Sequence, residues 1–298
     1  MRLSASLKGS LLLEVLVVCL LIALFLPFLV SALANVQNRH LLAQQYQNQF
    51  ALQSAIETHF QAQWTRLLPA GCSLDERASI TIQSGSIPPD RLASRRVFSE
   101  SDWLYGESYG LCQGSFTVTE NPQQEIALAC HWKEGETARF ITCRDHYLGQ
   151  IIDINSRGNV SDIMFESDDV IGQSGILASQ DGFYWYLSPG KDGSRAFWRT
   201  PAIKGNSREL FKNIERLAIF PLLDLDGDGA VDALATEYGE FSLEQVRALW
   251  VEYQYRLSDC RESLSDQAAQ EYVSMRGDQW IYRSPCQHVG NQIINLQP

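Results

Sequence analysis

One segment near the start of the chain limits everything that follows. From Val15 to Ala34 the residues form an apolar run without a charge, and the next charge is Arg39. A helix of about 20 such residues matches the hydrocarbon thickness of a bilayer. Arg2 and Lys8 precede the run, and little positive charge follows it. That asymmetry orients the N-terminus to the cytoplasm and the bulk of the chain outside. A cleaved signal peptide is the competing reading, with Ser31-Ala32-Leu33-Ala34 as a small-residue cut site. The run is long for a signal core, however, and an acid, Glu14, interrupts its start.

A carboxylate at the edge of an apolar helix is costly, and such acids usually serve a functional partner. The segment Lys8-Gly9-Ser10-Leu11-Leu12-Leu13-Glu14 resembles the cleavage site of prepilin peptidase. The resemblance implies a leader of residues 1–9, a cut between Gly9 and Ser10, and methylation of the new Ser10 amine. Glu14 then becomes the fifth residue of the mature chain and meets the N-terminal amine of a neighbouring subunit in a filament. Ser10 departs from the family, which usually has Phe there. The electrostatics agree: an acid in a low-dielectric setting gains most from a cation supplied by the next subunit.

From Asn35 to Trp64 there is no Gly or Pro. Leu42, Tyr46, Phe50, Ile56, Phe60 and Trp64 fall mostly three, four or six residues apart, which predicts one apolar stripe on an amphipathic helix. Residues 10–64 as a single helix would reach about 80 Å, with a local kink at Pro27. The stripe is expected to hold the globular part along Leu42–Trp64. Leu68-Pro69-Ala70-Gly71 is expected to end the helix.

Residues 65–298 read as a β-rich domain outside the cytoplasm. Strands are predicted at 79–83, 116–119, 126–132, 138–143, 183–187, 196–200 and 247–257. In the last of these, Val251, Tyr253, Tyr255 and Leu257 alternate with Trp250, Glu252, Gln254 and Arg256, so one face is buried and the other wet or paired. The fold class is therefore α+β, a long N-terminal helix packed on an antiparallel sheet. Six cysteines follow the membrane run, which suggests an oxidising compartment and up to three disulfides. Cys130 and Cys143 would face each other across a hairpin formed by 126–132 and 138–143. Cys260 and Cys286 would close the C-terminal loop. Cys72 with Cys112 follows by elimination.

Asp224-Leu225-Asp226-Gly227-Asp228-Gly229-Ala230-Val231-Asp232 has the pattern of a calcium loop. Carboxylates stand at positions one, three and five, and a glycine at six. Ala230 could give a carbonyl oxygen and Asp232 a direct or water-mediated ligand. The glutamate of an EF-hand is missing, because position twelve is Ala235. The alternative is a solvated Asp/Gly turn. A hydrophobic strand, a DGDGxxD loop and a second strand, spanning about 213–258, resemble the PilW family of minor pilins. With the N-terminus, the resemblance implies a structural minor pilin carrying a structural Ca2+. Its role would be to initiate or cap a type IV pilus together with other minor pilins and the major pilin. It would be processed by prepilin peptidase, held in the bacterial inner membrane by one helix, and then moved into the filament.

Two rival functions remain. One is a pseudopilin of a type II secretion system, and the other a signal-anchored calcium-binding module for cell adhesion. The net charge of −11 and the lack of any basic run give no indication of nucleic-acid binding. The chain contains no C-x-x-C pair, G-x-S-x-G elbow or phosphate loop, and its five histidines lack zinc-ligand spacing. An enzyme is not expected. Cys143 with His146 reads as a hairpin end beside a surface histidine, and Glu166, Asp168 and Asp169 as acidic surface.

Overall fold

A computed structural model describes residues 7–67, 78–118, 132–142, 145–154, 160–203, 205–258, 260 and 269–296. The chain divides into two units, Met1–Leu52 and Gln53–Pro298. Helix α1 runs from Leu7 to Trp64 with Pro27 inside it, so its last three turns belong to the second unit. In the first unit the large apolar side chains between Leu13 and Val36 are 45–74% exposed. Water does not tolerate an apolar surface that continuous. By length and composition this helix is able to cross a membrane, a property that anchors and signal sequences share.

The second unit is antiparallel β-structure. Its strands are β1 (Ser79–Ser84), β2 (Asp102–Thr117), β3 (Thr137–Ile141), β4 (His146–Ile154) and β5 (Val160–Phe165). Then come β6 (Ser174–Pro189), β7 (Arg195–Pro201), β8 (Arg208–Lys212), β9 (Ile214–Leu223) and β10 (Ala233–Leu234). The last are β11 (Gly239–Ser242), β12 (Val246–Arg256), β13 (Gln270–Val273), β14 (Gln279–Tyr282) and β15 (Gln287–Asn295). Among the described residues they form three sheets. The largest has the order β11-β1-β2-β6-β3-β4-β5 and forks at β6. β2 lines one edge of that long strand, while β3 takes Ile176–Ser179 and β7 takes Phe183–Pro189 on the other. The second sheet is β10-β9-β12-β15, and β13 with β14 makes a separate hairpin.

The end of α1 is the hub of the core. Ile56, Phe60, Trp64 and Leu67 are buried to within 1% of complete. Phe60 stacks on Trp64 at 4.9 Å and meets Phe197 of β7 edge-on at 5.1 Å and Tyr253 of β12 at 5.5 Å. These helical residues therefore bridge the first two sheets, with polar contacts at the rim of the packing. Tyr253 Oη donates to Glu57 Oε1 at 2.9 Å, and Trp185 Nε1 donates to Gln63 Oε1 at 3.3 Å. Gly106 lets the chain close over Leu67, since a Cβ there would lie 2.6 Å from the Leu67 methyl.

The alternating strand near the C-terminus forms as β12, but neither of its faces is wet. Tyr253 and Tyr255 meet the helix. On the opposite face, Trp250 packs with Trp280 and Tyr272 of the hairpin. Glu252 is fully buried there, accepting from Trp250 Nε1 at 3.1 Å and Tyr272 Oη at 2.8 Å. The paired alternative is the one that holds.

Of the predicted stripe, Ile56, Phe60 and Trp64, which lie in the second unit, are buried. One expectation needs correction, and it concerns 138–143. β3 has β4 on one edge and β6 on the other, so both edges of 138–141 are filled. Of its expected partner, 126–132, only Trp132 is described, and it is buried; Cys130, Cys143, Cys72 and the 68–71 stop lie outside the described residues. The backbone of Cys112 lies in β2, with its side chain outside the description. Cys260 and Cys286 do form a disulfide, with Cα atoms 5.3 Å apart.

Candidate functional sites at the N-terminal segment and the acidic loop

Gly9 and Ser10 lie in the first turns of α1, and their side chains are outside the description. Glu14 follows one turn later on the same helix, between Leu13 at 66% and Val15 at 56% exposure. A carboxylate is thus set within a surface that is otherwise hydrocarbon. Cys19, further along the run, carries a free, exposed thiol.

The acidic loop connects β9 to β10. Hydrogen bonds from its own backbone shape it. Asp224 Oδ1 accepts from Gly227 N at 2.7 Å, and its Oδ2 from Gly229 N at 2.9 Å. Asp232 Oδ2 accepts from Leu225 N at 2.7 Å, and Asp228 Oδ1 from Ala230 N at 2.7 Å. Gly227 and Gly229 have φ of 79° and 93°, values that a side chain would strain. Turning the chain this sharply brings carboxylate oxygens of Asp224, Asp226 and Asp232 within 4.8 Å of one another. The Asp228 carboxylate is not part of that cluster.

Asp224 is 3% exposed, and Arg247 of β12 engages its Oδ2 through Nε at 2.7 Å and through Nη2. That guanidinium, with the two glycine N–H groups, holds the carboxyl below the usual carboxylate range. The three acids are hard oxygen donors of the kind that calcium takes, and the turn geometry converges them. Arg247 was not legible as part of this site, because it lies on another strand with no local motif.

Compared with known proteins, the chain matches no family model, no curated protein and no solved structure.

A second cluster, unanticipated from the sequence, clasps the sheets together. Asp102 at the start of β2 is 2% exposed. Its carboxylate accepts from Ile219 N at 2.8 Å, from Tyr238 Oη at 3.0 Å and from Arg276 Nη1 at 3.0 Å to each oxygen. Arg276 also lies over the Tyr238 ring at 4.0 Å and donates through Nε to Thr236 O at 2.9 Å. A cavity of about 250 Å³ adjoins, lined in part by Arg216, Asp278 and Trp280. The four elements meeting at Asp102 are distant in sequence, and so nothing local announces the cluster. Asp168 and Asp169 sit on an exposed turn after β5, capped by Ser167.

Proposed function

We propose that this chain is a structural minor pilin of the PilW type, held in the inner membrane by α1 and destined for a pilus-type filament. The observation that carries this reading is the division of one helix. Its N-terminal half is exposed hydrocarbon bearing a single acid, Glu14, and its last turns are buried under antiparallel sheet. Such a helix can leave lipid for the core of an assembly, where Glu14 finds a cation on an adjoining subunit. Gly9-Ser10 supplies the processing point for prepilin peptidase.

Mass spectrometry of the mature N-terminus tests this directly. Cells with the peptidase should yield a chain beginning at methylated Ser10, and cells without it should retain Met1 or Arg2. An identical N-terminus in both strains rejects the proposal. A chain beginning after Ala34 would instead identify a cleaved signal peptide.

The acidic loop adds a structural Ca2+ to the proposal, with Asp224, Asp226 and Asp232 as carboxylate ligands. The ion would neutralise three converging carboxylates and stiffen the β9–β10 connection. Calorimetric titration with calcium should show one site in the wild type, and Asp226→Asn should weaken it at least about tenfold. Equal heats from the two proteins would remove calcium from the account.

A further inference from the structure

We infer that the outer edge of β15 is a docking site for a second copy of this chain. β15 pairs with β12 over all nine residues, from Gln287 opposite Arg256 to Asn295 opposite Ala248, without a register shift. Among the described residues no strand covers its other edge. Leu257 N donates to Cys286 O at 2.9 Å, and Leu296 N to Arg247 O at 3.0 Å. Bonded and non-bonded residues alternate along an antiparallel pair. The even-numbered residues of β15 therefore spend their backbone groups on β12, and Val289, Asn291, Ile293 and Asn295 turn theirs outward.

Edge strands in native proteins are normally blunted by charge, proline, a bulge or a short length. β15 has none of these devices. Gln287–Asn295 contains no Lys, Arg, Asp, Glu or Pro, and Ile293 is 50% exposed on it. The strand is also its own complement. Antiparallel pairing centred on Asn291 sets Val289 against Ile293 of the second copy and opposes no charge to itself.

The net charge of −11 resists self-association in general, and this arrangement keeps the two acidic loops far apart. β10, which follows the acidic loop, is at the far edge of the four-stranded sheet. In the continuous eight-stranded sheet the two β10 strands would lie roughly 33 Å apart at the usual strand spacing. That exceeds the Debye length of about 8 Å at physiological salt. The inference depends on the sheet alone and is independent of the pilin proposal.

The test uses the full-length protein in detergent micelles, with native mass spectrometry and amide hydrogen exchange over a concentration series. A concentration-dependent dimer should form. The amides of Val289, Asn291, Ile293 and Asn295 should slow with it, while those of Gly290 and Gln292 stay protected throughout. Asn291→Pro removes an outward N–H without touching a bond to β12, and Ile293→Lys places a charge at an exposed edge position. Each should raise the dimer dissociation constant at least about tenfold. A dimer equally tight in both variants would assign association to another surface, α1 included, and overturn the inference. A monomer at every concentration would overturn it as well.

Discussion

Asp102 and Asp224 are both nearly closed to solvent, yet their carboxyls move in opposite directions. Burial pushes Asp102 up to about 6, against the pull of Arg276, the Ile219 N–H and Tyr238. Arg247 holds Asp224 down. For Asp102 the folded state binds more protons than the unfolded chain between about pH 4 and 6, so its contribution falls as pH rises through that window. Chemical denaturation across pH 4 to 6.5 should show a loss of up to roughly 3 kcal/mol from this group. Asp102→Asn should flatten that slope, because the amide cannot ionise. Asp224 has the opposite sign: its contribution is present above the usual carboxylate range and is lost as pH falls below it. Gly290 in β15 matters for space. A Cβ there would lie 2.6 Å from the Tyr253 ring, whose hydroxyl holds Glu57 on α1. Gly290→Ala should cost about 1–3 kcal/mol in a urea titration, through displacement of that ring.

At the scale of elements, the apolar stripe on α1 is the instructive case. Its spacing was legible and its helix is there, and within the second unit Ile56, Phe60 and Trp64 are buried. Phe60→Ala removes a ring enclosed by Trp64, Phe197 and Tyr253, and should cost about 3–5 kcal/mol. β12 teaches a related point. Its alternation revealed two faces, and the second face closes only when the β13–β14 hairpin, late in the chain, covers Trp250 and Glu252. Local pattern shows that a face exists, whereas the identity of its cover is a long-range fact.

For the whole molecule, the Cys260–Cys286 bond ties the segment after β12 to the start of β15. Replacing both cysteines with serine should lower unfolding stability by roughly 3–4 kcal/mol, seen as a fall in the denaturation midpoint. The sequence by itself determined the apolar segment with its acid, the amphipathic continuation, the α+β class and the Asp/Gly turn. Each is written in neighbouring residues through composition, helical or strand period, or the φ that glycine allows. Only the tertiary structure decided the forked sheet at β6, the pairing of Arg247 with Asp224, the clasp on Asp102 and the place of β15 at the edge of its sheet among the described residues. Those depend on contacts between residues as far apart as Asp102 and Arg276, whose meeting is set by packing energy summed over the whole core.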